Sequence, residues 1–195
     1  MQGWKTLYPG MIDWIDGTDG GRITEVDTRT RTLINELGDA INADILNVIP
    51  PQKAGLIAHQ AGLVDQTGWC PVNQKTFESS LHRDVHVIGD ASLAGAMPKS
   101  GFSANSQAKV CAAAVVSHFN QIEMPEPTYN NTCYSLLGPD YAISVAAVYR
   151  FNNNQIVSVK GSGGVSPAEA DQAFRKMEAR YTQGWYTSII ADTFA

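Results

Sequence analysis

The sequence predicts an α/β fold with an α+β carboxyl-terminal part, and three observations predict it. An apolar run, Val85 to Ile88, ends in Gly89-Asp90 and leads through Met97-Pro98-Lys99-Ser100-Gly101-Phe102 into an alanine-rich segment, the order of strand, turn and helix. Apolar and polar residues alternate on either side of polar turns near both ends of the chain, which is the pattern of antiparallel hairpins. A final segment repeats large apolar residues every three or four positions, the period of a helix.

The first hairpin is Arg22-Ile23-Thr24-Glu25-Val26-Asp27 against Thr32-Leu33-Ile34-Asn35-Glu36-Leu37, turning at Thr28 to Arg31. In the central region Val85, Val87 and Ile88 supply the predicted strand. Gly89 lets the backbone bend and lets a ligand approach closely. Asp90 has two readings, a cap on the turn or a carboxylate that accepts hydrogen bonds from a hydroxyl chain. The following helix, Ala104 to Phe119, carries Lys109 as its only charge and is expected to be buried on most sides. Its start offers free backbone amides to a negatively charged group. Met124-Pro125-Glu126-Pro127 then breaks the chain.

Beyond that break, Ala142 to Arg150 and Gln155 to Lys160 flank Asn152-Asn153-Asn154, whose tolerance of positive φ suits a hairpin turn. Gly161-Ser162-Gly163-Gly164 reads as a flexible turn. Ser166-Pro167-Ala168-Glu169 has the spacing of a capping box, and Phe174, Met177, Tyr181, Trp185 and Ile189 form the stripe expected to pack on the sheet.

Composition bounds the function. The 195 residues are 44% hydrophobic with a net charge of −5, which argues against nucleic acid and against an anionic membrane surface, both of which favour a basic face. No apolar stretch approaches the roughly 20 residues of a membrane span. The first residues, followed closely by Asp13, Asp16 and Asp19, do not resemble a signal peptide. His59, His82, His86 and His118 have no metal-ligand spacing with the cysteines, so no metal site is expected. Gly-x-Ser-x-Gly and phosphate-loop patterns are absent.

Three cysteines leave at least one thiol without an internal partner. Cys111, among apolar neighbours in the alanine-rich helix, reads as a small buried hydrophobe. Cys70, between Trp69 and Pro71, fits a structural role better than a chemical one. Cys133 differs, because it lies in the polar segment Asn131-Thr132-Cys133-Tyr134-Ser135 just past the proline break.

The stretch from Ala43 to Asp90, with Thr76 ahead of Gly89-Asp90, resembles the second flavin-binding segment of the two-dinucleotide-domain disulfide reductases. Asn47-Val48-Ile49-Pro50-Pro51-Gln52, Gly68-Trp69-Cys70-Pro71-Val72, Lys75-Thr76-Phe77-Glu78-Ser79-Ser80, Pro98 to Gln107, Asn131 to Ser135 and Trp185-Tyr186 narrow it. Together these segments resemble the flavoprotein subunit of flavocytochrome c sulfide dehydrogenase over essentially the whole chain. No Gly-x-Gly-x-x-Gly occurs, so the resemblance is to the carboxyl-terminal half, without the loop that seats the FAD pyrophosphate.

The resemblance implies three parts. Residues 1–45 would end a second, NAD-like dinucleotide domain, 46–120 would be the carboxyl-terminal half of an FAD-binding domain, and 121–195 would be the family's flavin-binding interface domain. It implies FAD as cofactor, held by Gly89 and Asp90 at the ribityl chain and by amides at Gly101, Phe102, Ser103 and Ala104 near the flavin pyrimidine edge. Trp185 would wall the isoalloxazine, with core packing the equal alternative.

Cys133 matches the family cysteine of a redox-active disulfide whose partner lies in the missing amino-terminal half. The implied reaction oxidises sulfide, a small sulfur substrate, through that disulfide and the flavin. A c-type cytochrome subunit then takes the electrons, because the chain has no Cys-x-x-Cys-His of its own. The family setting is periplasmic. Two rivals stay open: a fragment of a sulfide:quinone or NAD(P)H-linked disulfide oxidoreductase, or an inert docking module.

Overall fold

The computed structural model describes residues 1–194. The chain divides into two compact units, Met1–Gln52 and Lys53–Ala195. The first unit holds helix α1 (Gln2–Leu7) and a three-stranded antiparallel sheet of β1 (Ile23–Asp27), β2 (Thr32–Asn35) and β3 (Ala40–Asn42). The predicted hairpin forms, with Asp27 paired to Thr32 across the turn. Asp27 Oδ1 accepts from Arg29 N at 2.9 Å, and Arg31 takes a positive φ of 55°, so the turn is built locally. A third strand escapes the alternation rule because it is three residues long. Asn35 is the one buried side chain of β2, and its Oδ1 accepts from Leu37 N and Asp39 N.

The second unit begins with α2 (Leu56–Gln60) and continues through a long irregular stretch to α3 (Gly101–Phe119). It then forms β4 (Thr128–Gly138), β5 (Tyr141–Asn152), β6 (Gln155–Ser158), β7 (Gly164–Val165) and α4 (Gln172–Phe194). β5 is the central strand. β4 runs antiparallel along one of its edges, while the other pairs with β7 at Val145-Ala146 and with β6 over its last four residues. Asn153 and Asn154 adopt φ of 48° and 62°, the consecutive left-handed pair that a tight β-hairpin requires. Gly163 is required for a different reason: a Cβ there would sit 2.1 Å from Ala146 O.

Two apolar clusters hold this unit. Val72, Phe77, Ala94, Met97, Tyr129, Tyr149 and Ile156 form the larger, and Ala54, Ala58 and Cys70 the smaller. Val87 packs against both, so the segment entering Gly89-Asp90 is pinned from two sides. Among the described residues no helix is long and apolar enough to cross a membrane.

Four expectations need correction. Residues 85–88 form no regular ladder: they make one isolated bridge, Glu78 to His86, and Val85 and Ile88 are each 38% exposed. A strand needs a partner along its edge, and the described residues provide none beyond that bridge. Helix α3 is not buried on most sides, since Val116 and Phe119 are exposed and its buried residues are mainly Ser103, Ser106, Gln107 and Ser117. Nor does Ser166 cap α4. Its hydroxyl is taken by Glu178 and Ser144, and Asp171 Oδ1 instead accepts from Phe174 N at 2.8 Å in the first turn.

The fourth is the α4 stripe, which holds only in part. Met177 and Tyr181 are exposed, while Arg175, Glu178 and Ala179 are buried.

Candidate functional site

Gly89 stands at φ +71°, a conformation that favours glycine, and starts a single 3-10 turn over Gly89–Ala91. Its N–H donates to Gln107 Oε1 at 2.7 Å, and a Cβ at Gly89 would reach to 3.4 Å from Ala104 Cβ. Gln107 is 2% exposed. The turn is therefore docked on the first two turns of α3 by one buried amide and a close van der Waals approach. Asp90, on that turn, keeps its side chain exposed at the rim of a cavity of about 270 Å³ whose walls include Gly89, Ser92, Lys99, Ser103 and Gln107.

Lys99 fixes the other side of the turn. Its ammonium donates to the carbonyls of Asp90 and Ser92 and lies 3.7 Å from the centre of the Trp69 ring. Burial pulls this ammonium below the ordinary lysine value, while the charges of Asp90 and Cys70 pull in the opposite direction. Beneath it, Cys70 is fully buried, its thiol raised by that burial and by Asp65, which suits a structural role.

The start of α3 is set by its N-cap. Ser100 Oγ accepts from Ser103 N at 3.1 Å, and Ala104 N bonds to Ser100 O. The amides of Gly101 and Phe102 precede the first helical bond, and a Cβ at Gly101 would meet nothing within 4 Å. The helix start is thus open to an anionic or hydrogen-bond-accepting group, with 19 residues of aligned peptide dipoles behind it.

Asn131 on β4 joins this helix start to Cys133. Its Oδ1 accepts from Ser100 Oγ at 2.5 Å and Ser103 Oγ at 3.1 Å, and its Nδ2 donates to Cys133 Sγ at 3.2 Å. Cys133 is exposed and unpaired, and Cys111 is half-buried, so the sulfur chosen by sequence is the accessible one. Sequence reading missed Asn131 as a functional residue. The available signal was a run of two asparagines inside a strand, where this residue type is depleted.

Trp185 lies over the same helix start. Its ring stacks on Phe102 at 6.1 Å between centroids with planes 6° apart, and Tyr134 meets it at 5.8 Å and 39°. A second cavity, about 520 Å³, opens beside this pair and is walled by Phe102, Lys109, Met124, Trp185, Ile189 and Asp192. The seven residues selected at the Gly89-Asp90 turn, the α3 start and Cys133 are linked through Gln107 and Asn131. Trp185 joins them through Phe102. Among the described residues no group of three or more histidine, cysteine or carboxylate side chains could hold a metal.

Solved structures that share this fold include two that each cover more than four fifths of this chain. A chain of the Tetrahymena thermophila mitochondrial ATP synthase F1Fo composite tetramer matches with a TM-score of 0.53 at 20% identity, covering 85% of this chain and 41% of that one. The sulfide:quinone oxidoreductase of the hyperthermophilic bacterium Aquifex aeolicus matches with a TM-score of 0.54 at 10% identity, covering 87% and 41%. The chain spans about two fifths of the length of each. The family model for the central part of the flavocytochrome c sulfide dehydrogenase flavoprotein chain matches residues 1–50, and that for its flavin-binding part matches residues 125–194. With both models drawn from one flavoprotein and flanking the Gly89-Asp90 turn, this chain belongs to the flavocytochrome c sulfide dehydrogenase flavoprotein family, whose cofactor is FAD.

Proposed function

We propose that the chain is the carboxyl-terminal portion of an FAD-dependent sulfide dehydrogenase and contributes one side of its flavin site and one of its two redox sulfurs. The observation that carries this reading is the convergence of the glycine-aspartate turn, an open helix start and an accessible thiol through two buried amides, Gln107 and Asn131. The residues present fit part of FAD. Asp90 offers an exposed carboxylate beside a glycine bend, which suits ribityl hydroxyls. The Gly101 to Ala104 backbone offers donors and a positive dipole end, which suit the pyrimidine edge. Trp185, stacked on Phe102, would offer the isoalloxazine a flat wall. A pyrophosphate loop has no counterpart among the described residues, and the amino-terminal half of the flavoprotein would supply it.

What FAD supplies when bound is acceptance of an electron pair and its release as single electrons. Cys133, with a cysteine of the amino-terminal half, would form a disulfide. Attack by hydrosulfide would leave a persulfide on one cysteine and free the other as a thiolate. Asn131, itself bonded to the α3 serines, would hold the Cys133 sulfur. The electron acceptor in this reading is a c-type cytochrome subunit, the compartment is the periplasm, and residues 1–45, 46–120 and 121–195 take the domain roles given above. The likeness to the Aquifex aeolicus enzyme favours one second reading, a sulfide:quinone oxidoreductase fragment.

Two measurements test the proposal. In the complete flavoprotein, Cys133→Ser should abolish sulfide-dependent reduction of cytochrome c while flavin content is kept; turnover that survives removes Cys133 from the mechanism. Purified alone, the chain should be folded and colourless and should gain flavin absorbance only with the amino-terminal half. Failure to gain flavin in that mixture would favour a docking module.

A further inference from the structure

We propose that Asn131 is a positioning residue for the Cys133 sulfur, tying it to the start of α3 and donating a hydrogen bond to Sγ. The inference rests on the reading of Cys133 as a redox sulfur and goes beyond it by assigning the group that holds it. Asn131 is 3% exposed in the middle of β4, opposite Ala147 of β5. A buried amide there is costly unless its polar atoms are matched, and they are matched in a directed way.

The direction follows from the hydroxyls. Ser100 Oγ spends a lone pair on Ser103 N, so its hydrogen is free for Asn131 Oδ1, and Ser103 Oγ donates to the same oxygen. Two donors on Oδ1 fix which end of the amide faces the helix. Nδ2 is left facing the other way and donates to Cys133 Sγ at 3.2 Å. Residues two apart on a strand share a face, so Asn131 and Cys133 stay in register without further support. A neutral N–H donor costs little against a thiol but stabilises a thiolate, the nucleophilic and leaving form in disulfide exchange.

A purely structural role and a positioning role predict opposite signs. If Asn131 only glues α3 to β4, its loss loosens the strand and exposes Cys133 further, so the thiol reacts faster. If it donates to the sulfur, its loss makes the thiol react more slowly.

The test is the rate at which iodoacetamide labels Cys133 in the purified chain at neutral pH, read by mass spectrometry of the Cys133 peptide. Asn131→Ala removes donor and acceptor together, and Asn131→Ser, neutral and too short to reach Sγ, is the second variant should Asn131→Ala not fold; native circular dichroism identifies the folded variants. Labelling should slow by about three- to tenfold in the folded variant, the size expected for one hydrogen bond to a charged group after the partial offset by nucleophilicity. An unchanged or faster rate in a folded variant overturns the proposal. The readout needs no flavin and no turnover, so it fails or succeeds separately from the Cys133→Ser experiment.

Discussion

Helices α3 and α4 face the same sheet with buried polar residues where sequence periodicity expects apolar ones, but they do so with different chemistry. At the start of α3 the buried groups are neutral: Ser103, Ser106 and Gln107 bond to Asn131, the Asn130 amide and the Gly89 amide. At the start of α4 they are charged: Arg175 and Glu178, each side chain 5% exposed, pair at 3.4 Å. Arg175 also donates to the Pro167 and Ala168 carbonyls, lies 5.3 Å from the Tyr141 ring centre, and leaves its Nε unpartnered. Glu178 accepts from Ser144 and Ser166. Neutral groups orient without placing charge near a ligand. The charged pair locks the loop before α4 and carries a larger desolvation cost, which makes it the more brittle of the two.

The largest effect should therefore come from α4. Glu178→Ala leaves a buried guanidinium without its counter-ion and should lower unfolding free energy by about 3–5 kcal/mol in urea denaturation of the chain. A loss under about 1 kcal/mol would mean that water reaches Arg175, and the contrast between the helices would weaken. Next comes Gln107→Ala, which orphans the Gly89 amide and leaves a cavity. The expected loss is about 2–3 kcal/mol. In the complete flavoprotein it should also weaken FAD retention, which Glu178→Ala should not do at temperatures where the fold survives.

A smaller effect is expected where the two helices meet. Lys109 Nζ donates to Asp192 Oδ2 at 2.7 Å, and that hydrogen bond, together with the lysine charge, holds the Asp192 carboxyl below its ordinary value. A lowered folded value means the pair stabilises above the ordinary carboxylate range and loses that contribution as pH falls through the lowered value. Asp192→Asn should flatten this acid limb slightly, and high salt should do the same, because both partners are exposed. The smallest change belongs to Phe119→Ser. Phe119 is 80% exposed at the end of α3, so the isolated chain should keep its denaturation midpoint.

These helices also explain how much was legible in sequence. Both hairpins were, because period-two alternation and left-handed turn residues such as Asn153 and Asn154 act locally. The glycine bend and the open helix start were legible too, since Gly89 and the Ser100 cap act within a few residues. The role of Ser166 was not, because a distant glutamate on α4 competes for its hydroxyl. Nor was the loss of ladder pairing at residues 85–88, which depends on partners elsewhere in space. Gln107 and Asn131 were missed for the same reason: their partners lie 18 and about 30 residues away, beyond any local pattern.

The central claim is that the Gly89-Asp90 turn and the α3 start make one side of a flavin site. Flavin content of the complete flavoprotein carrying Asp90→Ala tests it most directly, because the Asp90 side chain is exposed and the fold does not depend on it. The account predicts that the purified variant loses most of its flavin absorbance while its circular dichroism stays that of the parent. Stoichiometric flavin in the variant, retained through dialysis, would contradict it.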